Sequence, residues 1–496
     1  MEGLFDCVES NVVMLSAQDA MYSFANHPLV HFFENSERSP RFMPSNILQA
    51  SLYTALREFP LLLGHVRKGP GGLAKVVIDK HNLNMPEFVE SESSIHYKSL
   101  KDTQFEWSAW PRGVATVGPI TTPSRHGVIK LLNVHVVRLH GNSGLIMFCN
   151  IPHLILDGIG YYDFLNRWAA LCRESTFPES HAKVDRPTYI FDRSIVSERL
   201  KGQSHLEKHA VDMLTTNSAA SMALGLLSFP TQLRLVSIGI SLDPGRAHFF
   251  RVSSESLAEL LDLAKARSND CLADISTYAL LAALVGTSFC RAQAAADAKR
   301  SLFVQTTAAI SNMLATRPSQ FTLVNMVHTH GCLKLDPDRC YIGNPVILHP
   351  VQAPAKQLAL AAGEESLAEV AAQVSLALSG INASLVGGFL DAVSSCSNSY
   401  LRYAVYMATT ANVLTVIDER CYNTNGVDFG DGGPAWVSGI PWHVPNFVAF
   451  FSSPARPGDV DLYVSLKPRT ADALIQDRFF ARYAQLLTQD KNQTEI

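Results

Sequence analysis

The chain has 496 residues, 47% of them apolar and 17% charged, with a net charge of −4. That length exceeds one ordinary hydrophobic core, so two domains are expected. The small net charge excludes an electrostatic case for nucleic acid or an anionic membrane surface as partner.

The N-terminus, Met1-Glu-Gly-Leu-Phe-Asp-Cys7, has no basic stretch followed by an apolar one, so no signal peptide is expected. Nine cysteines are scattered without a Cys-x-x-Cys pair, which fits reduced thiols in a cytoplasmic protein. Leu48 to Phe59 reads as a helix, capped by Ser45 and ended by Pro60. Val128 to Leu139 reads as a strand. His140-Gly-Asn-Ser-Gly144 is its turn, and Leu145-Ile-Met-Phe-Cys149 is the returning buried strand. Gly158 to Leu171 reads as a helix. Pro178, Pro187, Pro230 and Pro244 punctuate a less regular stretch, with helical pattern only between Val196 and Leu214.

Regular pattern resumes at Phe249-Phe-Arg-Val252, followed by a helix from Glu255 to Ala266 with Ser254 as its cap. Ile275 to Cys290 is apolar but rich in hydroxyls, and reads as a core helix rather than a membrane span. Strands are expected at Ser301–Thr306, Val413–Ile417 and Val460–Leu466. Strands and helices mix in both halves, so the expected fold is α/β, with two sandwich domains. The expected division is 1–190, a crossover over 191–245, and 246–496.

One run stands out: Asn150-Ile-Pro-His-Leu-Ile-Leu-Asp-Gly158. Histidine is the side chain best suited to take a proton near neutral pH. His153 sits where a strand meets a helix, a rigid place from which to aim a base. Asp157 follows four residues later, and Gly158 lets the backbone turn sharply. The pattern His-x-x-x-Asp alone is weak, since about one chance match is expected in such a chain. A second copy, His181 to Asp185, has no strand before it and no glycine after it, and reads as a surface decoy.

Other chemistries find little support. There is no Gly-x-Ser-x-Gly elbow and no phosphate loop ending in Gly-Lys-Ser/Thr. His205 and His209, with Asp212 beyond, would share a helical face, but the polar surroundings favour a solvated helix. His328 and His330 would share a strand face, yet no nearby carboxylate or cysteine completes a metal site. No metal is therefore expected. Asp428-Phe-Gly-Asp-Gly432 is a glycine-rich turn whose backbone can approach a ligand closely.

Taken together, these motifs resemble the BAHD family of coenzyme-A-dependent acyltransferases. Leu15-Ser-Ala-Gln-Asp19 is similar to that family's opening segment, and Leu48 to Leu56 with Phe59-Pro-Leu-Leu-Leu-Gly64 to its first helix and the stretch after it. His153 to Gly158 resembles its His-x-x-x-Asp-Gly signature. Asp274-Ile-Ser-Thr277 resembles the start of its second-domain helix, and Tyr341-Ile-Gly-Asn344 its Tyr-x-Gly-Asn element. Asp428 to Gly432 stands where the family has Asp-Phe-Gly-Trp-Gly.

The resemblance implies two chloramphenicol-acetyltransferase-like domains with a solvent channel between them. It implies an acyl-CoA cosubstrate, no permanently bound cofactor, and a small alcohol or amine acceptor, with the protein a monomer of secondary metabolism. His153 would be the general base and Asp157 a loop-holding residue. Gly158, Asp428, Gly430 and Gly432 would shape loops, the Asp428 loop lying towards the donor side. Ser276, Thr277 and Asn344 are carried as contacts near the donor. Two departures point to a divergent, fungal-type member. Asp431 replaces the family's tryptophan. The arginine that commonly pairs with the motif aspartate is missing from Met326 to Lys334, which leaves Lys334 or Arg339 as its replacement. Two other readings are a condensation-type enzyme using a carrier-bound acyl group, which Pro152 before His153 disfavours, and a non-catalytic ligand-binding homologue.

Overall fold

The computed structural model describes residues 5–69, 73–176, 187–200, 208–215, 244–267, 275–298, 320–360, 363–396, 412–441, 444–453 and 456–489, with scattered positions in 223–239 and 399–406. The expected strand at Ser301–Thr306, the decoy pair His181 and Asp185, and His205 lie outside them.

The strands that organise the described residues are, in chain order, β1 Asn26–Glu34, β2 Glu87–Glu92, β3 Asn133–Arg138, β4 Gly144–Pro152, β5 Arg246–Val252, β6 Gln320–His328, β7 Val346–Pro354, β8 Val413–Asp418, β9 Trp436–Gly439, β10 Phe447–Ser452, β11 Val460–Leu466 and β12 Gln485–Gln489. They form two principal sheets, ordered β9-β1-β4-β3-β2 and β7-β6-β8-β10-β11-β5-β12. This is the α/β, two-domain fold expected from the sequence.

All nine residues of β4 are buried, as its unbroken apolar run requires of a central strand. The turn before it is as expected: Gly141 adopts φ 64°, the left-handed region glycine tolerates best. Only Asn133–Arg138 of the strand expected over Val128–Leu139 pairs in the sheet. Helix α1, Ala17–Met21, opens with a capping box in which Ser16 and Asp19 bond each other's backbone amides. Helix α2, Ser45–Glu58, starts after Pro44 rather than on a serine cap. The Ser45 hydroxyl is drawn away to Glu90 and Arg138. Helix α3, Gly158–Thr176, packs on α2, and Arg167 clasps Glu58 with two bonds of 2.7 and 2.8 Å.

In the second half, Ser253 rather than Ser254 caps the helix Ser254–Arg267, accepting from the Ser256 amide at 3.2 Å. The helix Thr277–Ala298 is long and apolar enough to cross a bilayer, but 78% of its most apolar window is buried. It packs against the helices Gly363–Ser379 and Pro468–Ile475 over the seven-stranded sheet, as expected of a core helix.

One segment departs from the expected division. Strand β9, from the second half of the chain, pairs antiparallel with β1 and completes the first sheet, with Trp436 opposite Phe32 and Gly439 opposite Leu29. The Asp428 loop travels with it: Phe429 packs edge-on against Phe33 and Trp168. The stretch 427–440 is thus built into the layer of residues 1–190.

Candidate active site

His153 leaves the end of β4, where its own amide bonds the Ala25 carbonyl at 2.9 Å. That link, with Asn26 opposite Pro152 in the sheet, ties the loop to β1. The imidazole lies between two rings, stacked on Tyr22 at 4.4 Å and 15°, and beside His27 at 3.9 Å. It retains 7% of its surface.

Its Nδ1 lies 2.8 Å from the side-chain oxygen of Asn344. The orientation of that amide is dictated by its other end, which donates to Asp19 Oδ1 at 2.8 Å and to the His153 carbonyl at 2.9 Å. Both of those are acceptors, so the Asn344 oxygen faces the ring, and Nδ1 must carry the proton. Nε2 is left with its lone pair and makes no protein hydrogen bond among the described residues. Burial pushes the His153 pKa below the ordinary histidine value. The Asp157 charge and the Asn344 bond oppose that shift only in part.

Asn344, expected beside the donor, therefore spends its whole amide behind the base. Asp19 is held in turn by Arg193 Nε at 3.0 Å. The same guanidinium donates to the Ile155 carbonyl at 2.6 Å and to the carbonyl of Ile342. One buried arginine thus clasps the opening segment, the loop after His153 and the Tyr341-Ile-Gly-Asn344 element.

Asp157 turns away from the imidazole. Its Oδ1 accepts from the Gly160 amide at 3.0 Å and caps α3, while its own amide donates to the Gly343 carbonyl at 3.0 Å. Its partner is neither Lys334 nor Arg339. His328 Nδ1 lies 3.2 Å from Oδ2 and His330 Nδ1 3.8 Å from it. The pair of histidines that lacked a carboxylate finds one 171 residues away in sequence. Burial alone would raise the Asp157 carboxyl, but His330, His328 and the Gly160 amide outweigh it and hold it well below the usual carboxylate range.

Gly158 serves space rather than a sharp turn. A Cβ there would lie 2.0 Å from the Tyr422 hydroxyl. The Asp428 loop does need unusual backbone: Gly430 and Gly432 have φ of 117° and 97°, and both donate their amides to Asp428 Oδ1, at 2.8 and 3.0 Å. Asp431 accepts from the Met43 amide at 2.9 Å, where Met43 is held at φ 42°. Ser276 and Thr277 are exposed at the start of the helix Thr277–Ala298, with the Ser276 hydroxyl accepting from the Ala279 amide at 3.2 Å.

Sequence reasoning missed Tyr22, His27, Asp19, Arg193 and Tyr422. Only Asp19 carried a local signal, its capping box with Ser16; the others reach the site through tertiary contacts.

Residues 7–224 match the Transferase family model. A BAHD acyltransferase of Arabidopsis thaliana is 27% identical over 197 residues, which span 38% of this chain and 41% of that protein's length. Among solved structures, TRI101 of F. graminearum, complexed with coenzyme A and deoxynivalenol, has a TM-score of 0.68 at 14% identity, over 96% of this chain and all of that one. Vinorine synthase has a TM-score of 0.61 at 14% identity, over 96% of this chain and 98% of that one. Family model, curated relative and fold all agree with the resemblance of the motifs to BAHD acyltransferases.

Proposed function

We propose that this protein moves an acyl group from acyl-CoA to the hydroxyl, or amine, of a small acceptor of secondary metabolism, with His153 as general base. The observation that carries this reading is the clamp on the imidazole. Asn344 fixes the proton on Nδ1, Tyr22 and His27 fix the ring plane, and Nε2 keeps a lone pair free. An alcohol is a poor nucleophile until its proton is withdrawn as the new bond forms.

In this reading the acceptor hydroxyl donates to Nε2. As its oxygen bonds to the thioester carbon, the proton passes to the imidazole. The tetrahedral adduct then collapses, the carbon–sulfur bond breaks, and the imidazolium returns the proton to the leaving thiolate. The products are an ester and free coenzyme A, with His153 again neutral. No acyl-enzyme is needed, consistent with the absence of a nucleophile elbow in the sequence. Burial of the base limits competition from water. The complexes of TRI101 with coenzyme A support the choice of donor. Exposed Ser276 and Thr277, at a helix N-terminus suited to anions, are the proposed contacts to it.

The test is release of free thiol from acetyl-, malonyl-, hydroxycinnamoyl- and longer acyl-CoA across a panel of alcohols and amines. His153→Ala should lower turnover by about 100- to 10,000-fold with the fold intact. Unchanged acyl transfer in that variant dismisses the base.

A further inference from the structure

We propose that Asp157, His328 and His330 bind a divalent transition-metal ion, zinc being the natural candidate, which anchors the loop carrying His153. This site is independent of the acyl-transfer reading, since the ion would touch neither substrate nor Nε2 of His153.

The geometry separates a metal site from a simple hydrogen-bonded pair. His328 Nδ1 at 3.2 Å from Asp157 Oδ2 suits either. His330 Nδ1 at 3.8 Å from the same oxygen is too far for a hydrogen bond. Both ring nitrogens of His330 are shielded from solvent without a hydrogen-bond partner of good geometry. The Tyr341 backbone is at most a weak partner for this ring, and burying nitrogens so poorly paired is costly, which leaves room for a ligand. Tetrahedral zinc has bonds of about 2.0–2.1 Å to nitrogen and oxygen, which puts neighbouring donors about 3.4 Å apart. The observed 3.2 and 3.8 Å bracket that spacing, and the three donor atoms lie within 4.8 Å of one another.

The surroundings fit as well. Asp157 Oδ1 is engaged by the Gly160 amide, so Oδ2 is the oxygen left for a cation. His328 Nε2 sits 3.0 Å from the Tyr422 hydroxyl. Donation there leaves Nδ1 unprotonated and aimed inward, as a metal-bound imidazole requires. Two imidazoles and one carboxylate suit zinc or another borderline ion rather than calcium or magnesium. The fourth position would fall to water.

The test is to load the intact protein with Zn²⁺ or Co²⁺, remove excess by gel filtration, and measure metal content and the visible Co²⁺ spectrum. One equivalent per chain is expected, with ligand-field absorption of a low-coordinate cobalt site. His330→Ala and His328→Asn should each weaken Zn²⁺ binding by more than the about 10- to 100-fold that losing a supporting hydrogen bond costs, and abolish that absorption. Circular dichroism confirms that each variant is folded. His330 is partly exposed, so its variant guards against misfolding of the other. A native protein that retains no metal, or variants that retain it unchanged, overturns the proposal.

Discussion

Asn344→Ala isolates what the amide contributes to the base. The substitution removes the acceptor 2.8 Å from His153 Nδ1 while Tyr22 and His27 still hold the ring in its plane. The imidazole stays in place but can shift its proton to Nε2, where it cannot act as a base. A buried hydrogen bond of this kind is worth about 1–3 kcal/mol once the cost of an orphaned partner is included. At about 1.4 kcal/mol per factor of ten, turnover should fall by about 5- to 150-fold. That is a smaller loss than for His153→Ala, and it should appear in kcat rather than KM. The variant should also be less stable, because Asp19 and the His153 carbonyl lose their donor. Asn344→Asp separates tautomer from packing. It keeps an acceptor for Nδ1 but adds negative charge, so the acid limb of its pH profile should move upward. Thiol release followed against pH for the three proteins reads all of this. Turnover of Asn344→Ala within twofold of the parent, or an unmoved acid limb in Asn344→Asp, would refute the clamp.

Other outcomes follow from the same geometry. Because burial lowers the His153 pKa, the ring stays neutral below the ordinary value of 6.5. Activity should therefore be flat from pH 6.5 upward and fall only on more acidic titration; a midpoint above 7 would contradict this. Gly158→Ala forces a Cβ against the Tyr422 hydroxyl at 2.0 Å, and overpacking of this kind costs about 1–3 kcal/mol in denaturant unfolding. An unchanged midpoint there would mean that the ring yields freely. Asp431→Ala removes the acceptor of the Met43 amide and should cost about 0.5–1.5 kcal/mol without lowering turnover per folded molecule. A catalytic defect in that variant would assign the loop a part in the chemistry.

Much of the fold was legible because its signals are local. The buried run before His153 is a central strand, and Val460–Leu466 is a strand with the expected bounds. Helix caps were less legible: Ser45 has the right residue type, but Glu90 and Arg138 take up its hydroxyl, and Ser254 is the first residue of its helix, with Ser253 before it accepting from the Ser256 amide. The base itself could be read from its run. Its support could not, since Asn344 lies 191 residues from His153, and Arg193 lies 174 from Asp19. Asp157 shows the same limit. The resemblance implied a basic partner, Lys334 or Arg339, between which spacing does not decide, whereas two histidines two positions apart meet it. Nor does any local pattern announce that Trp436–Gly439 pairs with the first sheet.

That borrowed edge strand has a mechanical consequence. The polypeptide passes between the two halves once through the segment before Arg246, again on its way into Trp436, and a third time when it leaves Gly439 for Phe447. Prising the halves apart like a clam would strip four residue pairs from the Phe32 side of the ladder. Three tethers instead of one make gaping expensive, so rearrangements on substrate exchange should be confined to side chains and loops.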